Sequence, residues 1–258
     1  MANPGWRMLA VINPCNPTGA YMGIEELKAY IYRSVEANLP SLDRTLEDAS
    51  EISEQHHDDL SCCVLVDESM QLWRGSCWRE DSLVSQEAWV RHMYDSFKCS
   101  IFVIHSWTKI WSCPGIRLGS ILCPTSAHSM KLKKHQVPWS LNLCALAFLS
   151  AAVADKEYLQ QTWTLNLVWR ARTKEVLSEV FPSWRFYGEE WLSWLWIDTK
   201  DAKVAAACVK YAKAHGVPIR NGAMGYDKPT FIRLAVRSPD KQDVLFSALR
   251  MAKKECGA

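Results

Sequence analysis

Residues 103–119, VIHSWTKIWSCPGIRLG, contain the features on which the fold and the chemistry depend. A β-branched run ends in small hydroxyl residues and a lysine, Lys109, and Arg117 follows eight residues later in a glycine-containing turn. A lysine at a strand end is most often solvated, but an amine at the mouth of a buried strand can lose hydration and attack a carbonyl. Ser106, Thr108 and Arg117 can then hold a phosphate beside it. The order of these residues predicts a strand, followed by a reactive group and then an anion-binding site.

Two other apolar runs end in polar residues. The run at 8–12 precedes NPCNPTG at 13–19, and the run at 64–66 precedes Asp67 and Glu68. Because a residue before Pro avoids the α region, two Asn-Pro steps and a Gly predict a tight, non-helical exit from a strand. Strands that alternate with helices predict a parallel α/β sheet, whose ligand site lies at the carboxyl ends of the strands.

The sequence resembles the aspartate-aminotransferase-like superfamily in the order of three motifs. They are NPxNPTG, the apolar run ending in Asp67-Glu68, and SxxK at 106–109 with an arginine eight residues later. The members of this superfamily are the fold type I pyridoxal-phosphate (PLP) enzymes. Residues 114–119, PGIRLG, and 135–142, HQVPWSLN, look closest to the histidinol-phosphate aminotransferase and threonine-phosphate decarboxylase branch. The resemblance implies an α/β fold: part of a PLP fold type I large domain, with a mostly parallel sheet flanked by helices, plus a small C-terminal α+β domain.

The resemblance also assigns roles. Lys109 would be the Schiff-base lysine and Asp67 the partner of the pyridinium nitrogen, and these two residues are the predicted catalytic pair. A carboxylate keeps the ring nitrogen protonated, so that the ring accepts electrons from the substrate, and the released lysine can move the α-proton. The implied cofactor-binding residues are Asn16, Asp67, Ser106, Thr108, Lys109 and Arg117, and Arg233 is assigned to the substrate carboxylate.

Residues 1–154 are predicted to be the C-terminal portion of the PLP-binding large domain, and 155–258 a linking helix and a small domain of two or three strands and two helices. Within the first domain, the acidic stretch 38–61 is predicted to be a surface insertion. Its His56-His57-Asp58-Asp59 run can in principle bind a metal, but adjacent residues rarely converge on one ion, so a solvated loop is favoured and no metal site is predicted. Helices are predicted at 24–35, 83–97, 142–154, from 155 and at 202–215. Ser238 as an N-cap, followed by Pro239 at the first helical position, predicts the start of the last helix.

Composition limits the partners. Thirty basic and 28 acidic side chains give a formal charge of +2, and 48% of the 258 residues are apolar. This balance predicts no nucleic-acid partner, and the absence of a long apolar run predicts no membrane insertion. We expect a soluble intracellular protein, cytoplasmic or organellar, with a small-molecule amino-acid substrate and mostly reduced cysteines. Thirteen tryptophans fill core or mark a partner surface, which leaves a homodimer or a subunit of a larger complex open.

The sequence departs from the superfamily pattern in two ways. The resemblance starts one strand before the NPxNPTG loop, so the glycine loop under the phosphate and the stacking aromatic ring are expected to lie outside this chain. The chain would then be a fragment, be completed by a second polypeptide, or have another role. Met70 occupies the tyrosine position of a DEAY-like motif, and a thioether cannot donate a hydrogen bond to the phenolic oxygen of the cofactor. Three functions stay open: an aminotransferase, a non-catalytic aminotransferase-derived subunit, or an amino-acid decarboxylase.

Overall fold

The computed structural model describes residues 5–49 and 62–257, the first range with side chains as far as residue 39. The chain forms two compact units. The N-terminal unit comprises residues up to 14, 22–72 and 76–154, and the C-terminal unit comprises 15–21, 73–75 and the chain from 155 onwards. Two short segments from the first half of the sequence therefore belong to the C-terminal unit.

The sheet of the N-terminal unit has the order β1-β2-β3-β4. Its first three strands are parallel, whereas β4 pairs antiparallel with β3 at the edge, so the sheet is mostly parallel, as predicted. Asp67 lies in register with Ile12 on one side and Ile104 on the other. The strands are β1 (Met8–Ile12), β2 (Cys62–Asp67), β3 (Cys99–Ser106) and β4 (Gly119–Leu122).

Four helices accompany this sheet. Leu27, Ile31 and Val35 recur along one face of α1 and are fully buried, together with Val64 and Ile101 of the sheet. Burial of each such side chain contributes about 1.5–3 kcal/mol. The helices are α1 (Ile24–Ala49), α2 (Glu87–Phe97), α3 (Ser126–His135) and α4 (Leu143–Ala154), and three-residue or four-residue 3-10 turns occupy Gln71–Arg74, Leu83–Ser85 and Pro114–Ile116.

The start of the predicted insertion is helical. α1 continues from the predicted helix to Ala49. The buried side chain of Asn38 hydrogen-bonds both the N–H and the carbonyl of Trp6, at 2.8 and 2.7 Å, which satisfies its amide. Residues 50–61, with the His56–Asp59 run, lie outside the described residues. Leu83 begins the 3-10 turn Leu83–Ser85, which Ser82 caps, so the α-helix predicted from Leu83 starts only at Glu87. The sequence reading did not predict α3.

The C-terminal unit contains four strands rather than two or three. They form an antiparallel sheet in the order β5-β6-β8-β7, with Leu195, Ile197, Ile232 and Leu234 in its core. Its strands are β5 (Arg185–Tyr187), β6 (Trp194–Asp198), β7 (Arg220–Asn221) and β8 (Phe231–Ala235), and its helices are α5 (Lys156–Val180), α6 (Ala202–Ala214), the short α7 (Ala223–Tyr226) and α8 (Pro239–Cys256).

Capping residues mark the helix starts of this unit. Asp155 accepts a hydrogen bond from the Tyr158 N–H at 2.9 Å, and Asp201 accepts one from the Lys203 N–H at 2.6 Å. Ser238 precedes α8 as predicted, with Pro at the first position, but its hydroxyl donates to the Asp240 carboxylate and makes no cap bond to the backbone. Two of these three helix starts therefore carry a side-chain cap.

Five of the thirteen tryptophans are core residues, and seven others are partly buried. Trp78, Trp111, Trp184, Trp194 and Trp196 are all buried. Trp139 differs from these, because it is 98% exposed and lies in the middle of the exposed loop between α3 and α4. Core packing therefore accounts for part of the high tryptophan content.

Candidate active site

The backbone hydrogen bonds between the parallel strands continue into the residues that follow each strand. The Asn13 N–H donates to the Asp67 carbonyl at 3.0 Å, and the Glu68 N–H donates to the Ile104 carbonyl at 2.9 Å. The buried Asn13 side chain also bonds the N–H and the carbonyl of Met22, at 2.9 and 2.8 Å. The backbone at the carboxyl edge of the sheet is therefore fixed on both sides of Asp67.

A chain of hydrogen bonds connects Asp67 to two predicted hydroxyl residues. The Ser69 N–H donates to Asp67 Oδ1 at 2.8 Å, and the Ser69 hydroxyl accepts from the Ser106 N–H at 3.0 Å. Ser106 Oγ lies 2.9 Å from Thr108 Oγ1, and Thr108 is only 4% exposed. The structure thus brings Asp67, Ser106 and Thr108 into one network through Ser69, which sequence reasoning missed because no local pattern links 69 with 106.

The turn after β3 holds the backbone of Lys109. The Ser112 N–H donates to the Lys109 carbonyl and the Cys113 N–H to the Thr108 carbonyl, both at 3.1 Å. Trp107 stacks on the buried His105 with ring centroids 5.3 Å apart. The Lys109 side chain is exposed, so this chain by itself does not bury the amine, in contrast to the expected dehydrated lysine.

Arg117 and Gly119 shape the return to β4. Arg117 adopts a left-handed conformation with φ 57°, is exposed, and donates to the Pro114 carbonyl at 3.1 Å rather than to the hydroxyls of Ser106 or Thr108. A Cβ at Gly119 would lie 2.8 Å from the His105 carbonyl oxygen. Glycine at this position therefore permits the close pairing of β3 with β4.

Two neighbouring carboxylates at the end of β2 have different surroundings. Asp67 is half-buried, whereas Glu68 is 1% exposed and accepts hydrogen bonds from the Ser82 hydroxyl and, at 2.9 Å, from the Leu83 N–H. The Nε2 atom of the equally buried His105 lies 3.4 Å from Glu68 Oε2. Successive side chains of an extended segment point to opposite faces. Glu68 therefore points into the interior, and Asp67 points to the other face at the end of the strand.

A second group of predicted residues lies in the C-terminal unit. Arg233 Nη1 donates to Asn16 Oδ1 at 2.6 Å, which joins two residues that are 217 positions apart. The loop of Asn16 is closed by hydrogen bonds from the Cys15 N–H to the Ala20 carbonyl and from the Gly19 N–H to the Cys15 carbonyl, at 2.8 and 2.7 Å. Both Asn-Pro bonds of the motif are cis.

The surroundings of Arg233 disfavour its positive charge. Burial lowers its pKa from the usual arginine value, and the charge of Arg220 lowers the pKa further, although Tyr226 acts in the opposite direction. Arg220 is the cross-strand register partner of Arg233 on β7, and like charges placed opposite each other in a sheet are destabilising. A bound anion would relieve this repulsion, so the Arg233 position suits a carboxylate.

A cavity of about 250 Å³ lies elsewhere in the C-terminal unit, between Phe181, Trp184, Lys200 and Lys253, and none of the predicted site residues lines it. Its lysines already bind the protein: Lys253 donates to the Val180 carbonyl at 2.7 Å, and Lys200 pairs with Asp198 at 2.6 Å. We therefore assign it no role. Among the described residues there is also no group of three or more His, Cys, Asp or Glu side chains placed to hold a metal ion.

The fold is shared with proteins of known structure. The chain has the α/β fold of PLP fold type I aminotransferase-like proteins, and its homologues and structural neighbours are histidinol-phosphate aminotransferases and threonine-phosphate decarboxylases. A solved histidinol-phosphate aminotransferase from Clostridium acetobutylicum superposes with a TM-score of 0.72 at 18% identity, covering 96% of this chain and 64% of that one. A second, from Sinorhizobium meliloti in complex with pyridoxal-5'-phosphate, superposes with a TM-score of 0.70 at 18% identity, covering 97% and 58%.

Sequence comparison gives the same relatives. Histidinol-phosphate aminotransferase 2 of Pseudomonas aeruginosa is 24% identical over 243 residues, which are 94% of this chain and 55% of the relative. Threonine-phosphate decarboxylase of Salmonella typhimurium is 35% identical over 63 residues, which are 24% of this chain and 17% of the relative. No family model matches. The chain thus spans about half the length of the curated aminotransferases that it matches along most of its own length.

The Ser69 hydrogen bond can be tested directly. Ser69→Ala removes the acceptor of the Ser106 N–H, and an unpaired, partly buried amide costs about 1–3 kcal/mol. We expect faster hydrogen exchange at the Ser106 amide and a lower urea midpoint, measured by NMR and by circular dichroism. Ser96→Ala, an exposed serine on α2, is the matched control. Identical exchange and midpoints in both variants would show that the link carries no stability.

Proposed function

We propose that the chain is a PLP-dependent aminotransferase-like protein that acts on an amino acid, with PLP bound covalently at Lys109. The observation that carries the proposal is the hydrogen-bonded network from Asp67 through Ser69 to Ser106 and Thr108. It ends one residue before Lys109, so a carboxylate, two hydroxyls and an amine follow one another at the carboxyl edge of a parallel sheet. Ligands bind at this edge in α/β proteins.

The donor set fits the cofactor. PLP requires an amine for its aldehyde, an acid for its ring nitrogen, and hydroxyl and cationic donors for its phosphate. Lys109 is exposed and therefore accessible to an aldehyde, and the Ser106 and Thr108 hydroxyls, 2.9 Å apart, can both donate to a phosphate. The exposed Arg117 guanidinium makes one hydrogen bond, to a carbonyl of its own turn, and has further N–H donors for an anion.

Bound PLP would supply an electron sink for the bond that breaks at the substrate α-carbon. In this proposal Asp67 holds a proton on the ring nitrogen, because one of its carboxylate oxygens is oriented by the Ser69 N–H and the side chain is only half-buried. Lys109 Nζ takes up the α-proton and returns it as general base and acid. The hydrogen-bonded turn around Lys109 keeps its backbone fixed during this transfer.

Arg233 and Asn16 would hold the substrate and the cofactor oxygen, respectively. The guanidinium of Arg233 is half-buried and faces like charge from Arg220, so it gains from a carboxylate partner. The 2.6 Å hydrogen bond to Asn16 orients it. A carboxylate bound in this way presents the α-carbon in one orientation, which is how fixed ion pairs lower the barrier of the chemical step.

Two other outcomes have specific support. The Salmonella typhimurium relative is a threonine-phosphate decarboxylase, and the same electron sink serves decarboxylation, so product analysis must include loss of CO₂. A non-catalytic subunit of a homodimer or larger assembly is favoured by the exposed apolar side chains Trp139 and Leu143, at 98% and 80%, and by Met70 in the tyrosine position. Large exposed apolar side chains that lie close together in the sequence are typical of association surfaces.

Trapping the cofactor on Lys109 tests the proposal. Purified protein incubated with PLP and reduced with borohydride should carry a stable pyridoxyl group on the peptide that contains Lys109, measured by peptide mass spectrometry. Lys109→Ala should lose this label, whereas Lys133→Ala, an exposed lysine on α3, should keep it. Equal labelling of several surface lysines, or none at Lys109, would contradict the proposal and leave the non-catalytic role.

The role of Arg233 predicts weaker substrate binding in Arg233→Gln. Loss of a charge-assisted hydrogen bond costs about 1.5–3 kcal/mol, so the half-saturating amino-acid concentration should rise roughly tenfold or more. The measurement is the change in PLP absorbance when a panel of L-amino acids is titrated into the loaded protein. Arg237→Gln, an exposed arginine just beyond β8, is the control. Equal half-saturation in the two variants would remove Arg233 from the substrate site.

A further inference from the structure

Arg170 of α5 is a buried cation that binds only main-chain oxygens among the contacts of the described residues. It is 6% exposed, and its Nη1 donates to the Trp194 carbonyl while its Nη2 donates to the Gly188 carbonyl at 3.0 Å. Weaker contacts reach the carbonyls of Leu192 and Tyr187 at 3.5 and 3.4 Å. Burial lowers the pKa of Arg170 to about 10, so the side chain is charged at neutral pH and its burial needs these acceptors.

The segment that Arg170 holds touches the NPxNPTG loop at two points. A Cβ at Gly19 would lie 2.4 Å from Gly188 Cα, so the two glycines are in backbone contact. The Trp194 Nε1–H donates to the Pro17 carbonyl at 2.8 Å. The two residues that contact the loop, Gly188 and Trp194, are the same two whose carbonyl oxygens accept hydrogen bonds from Arg170.

The loop in turn carries Asn16. Residues 15–21 belong to the C-terminal unit together with α5 and β8, so Arg170, the loop and Arg233 are parts of the same unit. Asn166, one turn earlier on α5, makes a similar connection, because its side chain donates to the Trp191 carbonyl at 2.8 Å. The Trp191 ring packs edge-to-face on the ring of Tyr21, with the ring centroids 5.1 Å apart. One face of α5 therefore supports the whole loop through the 187–194 segment.

We infer that Arg170 is a positioning residue that sets the place of Asn16 relative to Arg233. It acts through Gly188 and Trp194 on the 15–21 loop and touches neither the proposed cofactor nor the proposed substrate. The consequence for catalysis rests on the proposed function, whereas the coupling of Arg170 to the loop does not. A buried arginine with a merely structural role would stabilise the whole sheet of the unit, and a positioning role is local to the loop.

The loop coupling is tested by hydrogen–deuterium exchange of Arg170→Gln in the full chain. The control is Arg172→Gln, because Arg172 lies on the same helix but binds Gln242 and Asp243 of α8 at 2.7 and 2.6 Å. We expect amide exchange in residues 15–20 to rise about tenfold or more in Arg170→Gln only, while amides of β6 and β8 keep their protection. Equal loop exchange in both variants, or a rise spread over the whole unit, would overturn the inference.

Two glycine variants test the coupling if Arg170→Gln does not fold. Gly188→Ala places a Cβ 3.2 Å from Gly19 Cα, whereas Gly216→Ala meets open space, and both positions have a positive φ, of 93° and 74°. The backbone strain is therefore similar and the loop contact differs. Gly188→Ala should raise exchange in residues 15–20 and Gly216→Ala should not. No difference between them would overturn the inference.

A binding measurement separates this inference from the proposed function. In PLP-loaded protein, Arg170→Gln should raise the half-saturating amino-acid concentration roughly tenfold, since Asn16 and Arg233 lose their alignment, and Arg172→Gln should not. The borohydride label should still map to Lys109. If amide exchange in the 15–21 loop changes in Arg170→Gln but the half-saturating amino-acid concentration does not, the positioning role is contradicted. A wild-type chain that binds no PLP would contradict the proposed function while the exchange data still decide the loop coupling.

Discussion

The parallel register of β1, β2 and β3 is the constraint from which the candidate site follows. Ile12, Asp67 and Ile104 lie side by side, and the backbone bonds from Asn13 to Asp67 and from Glu68 to Ile104 extend the pairing past the strand ends. Because parallel strands end at one edge, polar residues after each strand converge there. A shift of one residue in β2 would turn Glu68 to the edge and Asp67 to the interior, and the network to Ser106 would be lost.

The predicted site residues belong to two different units. Asp67, Ser106, Thr108, Lys109 and Arg117 belong to the N-terminal unit, and Asn16 and Arg233 belong to the C-terminal unit. The assignment of Asn16 is unexpected from the sequence, since it follows β1 by only a few residues. The contact of Gly19 with Gly188 and the bond from Trp194 to Pro17 explain it. Asp67 and Lys109, which are proposed for the chemical step, and Arg233, which is proposed for substrate recognition, therefore belong to different units.

The sequence predicted the parts of this structure that depend on local patterns. Apolar spacing located α1, α5, α6 and the strands other than the short β5 and β7, and the polar residues that follow the strands indicated Asp67, Ser106 and Lys109. Ser69, Asn13 and Arg170 were not found, because their roles depend on partners 37, 9 and 17 to 24 residues away that only the folded chain brings together. The exposure of Lys109 was also unpredictable, since burial of a strand-end side chain is decided by its tertiary neighbours.

The proposed function depends on Asp67 keeping a proton on the ring nitrogen of a PLP molecule held at Lys109. The most direct measurement is the ¹⁵N NMR shift of PLP labelled at the ring nitrogen and bound to the wild-type chain and to Asp67→Asn. The account predicts a protonated nitrogen at neutral pH in the wild type and a neutral one in the variant, because an amide cannot supply the negative charge. The same protonation state in both proteins would contradict it.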